Sequence, residues 1–205
     1  AVAADGSIDV VDCVLRLVDR SLVMFEPEED RYRLLETLRQ YGADRLAEAG
    51  ETEEVRARHA RYFLALGERI APELTDARFF AARAVLAPEL DNLRATADWC
   101  VESGQWTELG SAALGLWYFL SESAPVDCAA WLRNVLGHEA ALDDQMVVDC
   151  LGELAYCEAA GFGNYTEAAG LSELSHARAH AAGAQASAAA WLAQSLGAAF
   201  TGEPA

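Results

Sequence analysis

Apolar residues recur along almost the whole chain at intervals of three and four. That is the spacing of one face of an α-helix, and no other feature constrains the fold as much. Residues 8–20 place Val10, Val14, Leu17 and Val18 on one face. Residues 36–49 carry Leu38, Tyr41, Arg45 and Leu46 and close on Gly50, a residue that readily ends a helix. Thr52 opens the next helix with Glu53 and Glu54 in its first turn, where acids suit the helix dipole. Its inward face is Val55, His59, Tyr62, Phe63, Leu66 and Ile70. A break is expected from Pro72 to Asp76. Pro88 predicts a short helix or a kink inside 79–103, because an internal proline removes a hydrogen bond and crowds the preceding turn. Trp106, Leu109, Ala113, Leu116, Trp117 and Leu120 form one further apolar face. Pro125 opens a helix at the favoured first position, Asp143 or Asp144 caps another, and helices are expected over 165–182 and 185–200.

Only one stretch breaks the helical period. Ser21 to Phe25 is a short apolar run, Glu26-Pro27-Glu28-Glu29-Asp30 a charged break, and Arg31 to Leu35 alternates polar with apolar. This pattern predicts a β-hairpin. The expected fold class is therefore mainly α, with one β-hairpin followed by an array of helices. The chain also repeats itself. GQWTEL at 104–109 resembles GNYTEA at 163–168, and a third, broken copy begins at Gly202-Glu203-Pro204. In the first two, a glycine ends one helix, a polar residue follows, and an aromatic starts the next. That is the local logic of a helical repeat.

Charge narrows the function classes. The 205 residues hold 33 acids and 15 basic groups, a formal charge of -18, and all the basic groups are arginine. Without lysine there is no Walker A loop and no Schiff-base chemistry. Phosphate backbones would meet a field of their own sign, so no direct nucleic-acid binding is expected from this segment. Arg31, Arg33, Arg39 and Arg45 are expected to pair with the dense neighbouring acids. No apolar run is long enough to cross a membrane, and a cytoplasmic location is expected. Cys13, Cys100, Cys128, Cys150 and Cys157 contain no CxxC and are expected to pack as small hydrophobes.

Few residues invite chemistry. His176 and His180 lie four apart on one helix face with Glu173 nearby, a spacing able to hold a metal, but nothing supplies a further ligand. They remain weak metal candidates. No catalytic and no cofactor-binding residue is assigned, and no cofactor is expected in this chain. Trp106, Trp117, Trp131 and Trp191 fall at apolar positions and are expected in the core, with a groove lining a protein or small-molecule effector as the alternative.

Two pairs of strings point to a family. LVDRSLV at 17–23 with RYRLLETLRQY at 31–41 resembles the end of the winged-helix module of STAND-class (NB-ARC-like) signal-transduction ATPases, including actinobacterial LuxR-type transcriptional regulators. RHARYFLAL at 58–66 and ELDNLRA at 89–95 resemble the adjoining tetratricopeptide-like helical region. Pro88 and the stretch from Ser121 to Val126 depart from the pattern. The resemblance implies the C-terminal part of a winged helix at 1–50, a helical linker and first repeats at 51–142, and truncated tetratricopeptide-like repeats at 143–205. It further implies an upstream nucleotide-binding domain of the same polypeptide that uses ATP or ADP with magnesium. This chain would then be a non-catalytic sensing segment. The alternatives are a free-standing helical-repeat adaptor and a metal-binding or enzymatic helical domain built on His176 and His180.

Overall fold

The computed structural model describes residues 9–27 and 31–201. The expected helix start at Ile8, the turn residues Glu28, Glu29 and Asp30, and the third repeat copy at Gly202 lie outside the described residues. The chain forms two compact units, Ala1–Tyr62 and Phe63–Ala205.

In the first unit, α1 (Val10–Asp19) starts where Asp9 Oδ1 accepts the backbone amides of Val11 and Asp12, both at 3.1 Å. Val10, Val14 and Val18 are half-buried, whereas Leu17 is exposed, so the expected inward face is only partly covered. Cys13 is exposed too, unlike the other cysteines. Strands β1 (Val23–Glu26) and β2 (Arg31–Leu34) pair antiparallel in the register Val23 with Leu34 and Glu26 with Arg31. Among the described residues this hairpin is the only sheet. Val23 is buried, the Phe25 and Tyr32 rings meet at 5.1 Å, and Arg33 Nε lies 3.0 Å from Glu26 Oε1. On α2 (Glu36–Ala49), Arg39 pairs with Glu36 and Arg45 with Glu48. The arginines near the hairpin thus meet neighbouring acids, as the composition predicts. Tyr41 is exposed and carries Arg45 over its ring.

Helix α3 (Thr52–Ile70) contains the division between the units. From Phe63 onward the regular elements of the second unit are all helical among the described residues. A 3-10 turn (Ala71–Thr75) follows α3, then α4 (Phe79–Leu86), a second 3-10 turn at Ala87–Glu89, and α5 (Leu90–Ser103). Pro88 sits in that second turn, so the chain ends one helix before the proline and begins another after it. Next come α6 (Trp106–Gly115), α7 (Trp117–Ser123), α8 (Pro125–Leu136) and α9 (Asp144–Tyr156). Asp143 caps α9 through the Met146 amide at 2.8 Å. A π-helical turn (Cys157–Gly161), α10 (Tyr165–Ala182) and α11 (Ala188–Thr201) complete the unit. Helix α6 packs on α5 and α8, α8 on α9, and α9, α10 and α11 on one another. The core runs through Leu66, Leu86, Leu93, Phe119, Leu132 and Leu154, and Trp117 and Trp131 belong to it.

Two local expectations need correction. The apolar face from Trp106 to Leu120 is split, because the helix breaks at Leu116, a fully buried residue between α6 and α7. Helix α11 begins at Ala188 and not at Gln185. The Gln145 side chain on α9 holds the Gln185 backbone by both its amide and carbonyl, at 2.8 and 3.0 Å, and keeps it out of the helix. The π-turn carries no signature in the local sequence. The two repeat copies, by contrast, are structurally alike. Gly104 and Gly163 adopt left-handed φ of 69° and 68°, Gln105 and Asn164 have nearly equal backbone angles, and Trp106 and Tyr165 start the following helices.

Close packing of α9 against α11 depends on one glycine. A Cβ at Gly152 would lie 2.5 Å from Ser187 Cβ and 3.2 Å from the Ala190 amide. Gly170, on α10, faces open space. Gly152→Ala is expected to destabilise the chain by about 1–3 kcal/mol, whereas Gly170→Ala stabilises it by about 0.5–1 kcal/mol. Urea denaturation of both variants measures the contrast.

Candidate functional site

A cavity of about 420 Å³ lies between the C-terminal half of α3 and helix α6. That size suits a small molecule. Leu64, Ala71, Pro72, Ala112 and Leu116 give it an apolar lining, and Thr107 and Ser111 add hydroxyls. Small residues set its walls. A Cβ at Gly67 would come within 3.3 Å of Leu116, and one at Gly115 within 3.3 Å of Ala71. Two exposed carboxylates, Glu68 and Glu108, line it, and neither has an ion-pair partner among the described residues. No arginine lines it. Arg78, Arg83, Arg94, Arg133 and Arg178 are committed to acids elsewhere in this unit. Below the hollow, Glu108 adds to burial in pushing the Cys100 thiol up to about 11.

The four tryptophans do not converge on this groove. Trp106 stacks face to face on His138, with centroids 3.6 Å apart. Trp117 lies edge-on to Tyr156 at 5.0 Å, and Trp131 is buried in the core. Trp191 is 56% exposed and leans over His176 at 4.1 Å. His176 is half-buried, with an Nε2 atom that meets no partner, whereas His180 and Glu173 are exposed. Among the described residues no group of three or more His, Cys, Asp or Glu side chains is placed to hold a metal ion.

A second cluster, inside the core, is one that the sequence does not announce. The π-turn brings Glu158, 1% exposed, against Arg133 of α8, and Asn164 Nδ2 donates to Glu158 Oε2 at 3.0 Å. Beside it, the thiols of Cys128 and Cys157 touch at 3.7 Å. Glu153, one turn before Cys157, has an Oε2 atom that is buried without a partner. Burial, reinforced by Cys157 and Asp149, pushes its carboxyl up to about 8.

That shift has a consequence for stability. Folded Glu153 keeps its proton up to about 8, whereas the unfolded group releases it near 4.5. The folded state therefore binds the extra proton between those values, and its stability falls as pH rises through that window. Urea midpoints are expected to drop from pH 6 to pH 8, and Glu153→Gln is expected to flatten that slope and raise the midpoint at pH 8. An unchanged slope in the variant would show that Glu153 is not the group responsible.

No family model matches the chain, and no solved structure matches it significantly. It is similar to proteins named as HTH-type transcriptional regulators in Mycobacterium tuberculosis and Mycobacterium bovis. Each is 40% identical over 127 residues, which cover 58% of this chain and 14% of the relative. The chain thus spans a small part of the length of these curated relatives, and more than half of it is similar to a stretch of a transcriptional regulator.

Proposed function

We propose that this chain is an effector-sensing segment of an HTH-type transcriptional regulator of the STAND class, and that it carries out no chemistry of its own. The observation that carries this is the α3–α6 groove: ligand-sized, mostly apolar, walled by small residues, and set in an array of helices. Similarity to the mycobacterial regulators supports the regulatory role. The strings at 31–41 and 89–95 support the finer assignment, with the hairpin region as part of a winged helix and the later helices as tetratricopeptide-like repeats. In that arrangement ATP or ADP with magnesium belongs to an upstream nucleotide-binding domain of the same polypeptide.

The lining defines the effector's chemistry. Leu64, Ala71, Pro72, Ala112 and Leu116 suit an apolar body, and Glu68 with Glu108 suits a cationic end. A chain charge of -18 favours cations over anions at every approach. Because the groove is walled by two different helices, an effector that binds one of their arrangements better than another shifts the balance between them. That differential affinity is the coupling a switch requires.

Calorimetric titration of the chain with octyltrimethylammonium, and with octyl sulfate as its anionic counterpart, tests this. The cation is expected to bind more tightly, and Glu68→Gln combined with Glu108→Gln to weaken it by about fivefold. Equal binding of the two amphiphiles would overturn the effector assignment. ATP hydrolysis by the isolated chain would overturn the non-catalytic role.

A further inference from the structure

Cys128 and Cys157 come from different elements, α8 and the first residue of the π-turn, yet their sulfurs are 3.7 Å apart with both side chains buried. The other cysteines differ. Cys13 is exposed, and Cys100 and Cys150 are buried with no thiol in hydrogen-bond contact. The surroundings of the pair are unequal. Cys157 is flanked by the Trp117 indole, whose N–H meets no partner at full hydrogen-bond geometry. It adjoins Glu158, which holds the Arg133 guanidinium nearby. The Cys128 thiol, the indole and Arg133 together favour the Cys157 thiolate against the opposing effects of burial and of the Glu158 carboxylate, and Cys128 is pushed up. The π-turn itself interrupts the regular hydrogen-bond ladder at Cys157. Such turns recur at functional positions.

We propose that Cys128 and Cys157 form an oxidisable dithiol, which a hydroperoxide converts to a disulfide tying α8 to the π-turn. The Cys157 sulfur attacks the peroxide, an S–O bond forms, and the O–O bond breaks. The leaving oxygen takes the Cys157 proton and departs as water or an alcohol. The Cys128 sulfur then attacks the Cys157 sulfur, the S–S bond forms, the S–O bond breaks, and the hydroxyl leaves as water with the Cys128 proton. Two thiols are oxidised by two electrons and one peroxide is reduced. The sulfurs close from 3.7 Å to the bonding distance of about 2.05 Å. Closing that gap requires side-chain rotation with a small shift of the π-turn. Cys157 is the residue attacked by oxidant, and Cys128 the one that resolves it. The disulfide would join two successive members of the helical array without involving the α3–α6 groove.

Graded hydrogen peroxide treatment of the whole chain, in a Cys13→Ser background that removes intermolecular coupling, tests the proposal. Alkylation under denaturing conditions and peptide mass spectrometry supply the readout. The expected result is loss of two thiols together, a linked Cys128–Cys157 peptide, and recovery with a reductant. Cys100 serves as the buried benchmark and is expected to react about tenfold more slowly. Cys128→Ala leaves Cys157 trapped by dimedone as a sulfenic acid, and Cys157→Ala leaves Cys128 reduced. Circular dichroism confirms that the alanine variants are folded, and a denatured sample shows the rate without structure. A pair consumed no faster than Cys100, or a disulfide joining any other cysteines, would overturn the proposal.

Discussion

A carboxylate placed in a protein core must be paired, and much of the second unit is arranged around meeting that demand at Glu158. Its side chain is almost fully buried, faces the Arg133 guanidinium and accepts from the Asn164 amide. Removing Arg133 would leave the Glu158 charge uncompensated in the interior, which costs far more than the pair itself contributes. The arrangement requires the chain to loosen into a π-turn after α9, so that Glu158 points towards α8. The backbone then closes the turn through the Asn164 amide, which donates to the Glu158 carbonyl at 2.7 Å. The left-handed Gly163 and the start of α10 follow directly. One ion pair therefore sets the path from α9 to α10, and the same turn brings Cys157 against Cys128.

Small residues do elsewhere what the ion pair does at the turn. Ala82, Ala113, Ala129, Ala155, Ala168 and Ala190 are all fully buried. With no side chain beyond Cβ, they let helices approach closely without interdigitating bulk, and Gly152 takes this to its limit between α9 and α11. Serines join in the same region. Ser172 and Ser175 donate to the carbonyls of Ala190 and Val148 at 3.0 and 2.9 Å, so their hydroxyls are satisfied inside the core. At α3 and α6 the same economy has the opposite result. Gly67 makes room for the Leu116 side chain and Gly115 for the Ala71 Cβ, but the small residues beside them leave space unfilled, and that space is the groove.

How legible each feature was in the sequence follows from its range of interaction. Helix α2 begins and ends at Glu36 and Ala49, and α10 at Tyr165 and Ala182, as the apolar period and the following glycines indicate. The hairpin was readable because its alternation differs from everything around it. The groove was less so. Tryptophan at apolar positions marks a large side chain but not its direction, and Trp117 and Trp131 turned inward while Trp106 found His138. The true lining, rich in Gly, Ala and Ser, has no period of its own. Glu68 and Glu108 read as ordinary helix-surface acids until their neighbours in space are known.

The sequence by itself determined the helical class, the single departure from it among the described residues, and the points where helices stop. Those outcomes rest on backbone sterics and on patterns contained within one or two turns. It also determined the charge that favours cations over phosphates. Only the tertiary structure decided the break at Leu116, the delayed start of α11, the pairing of Glu158 with Arg133, the meeting of Cys128 with Cys157, and the hollow between α3 and α6. Each of these depends on residues distant in the chain competing for the same space or the same charge, and no local pattern records which competitor wins.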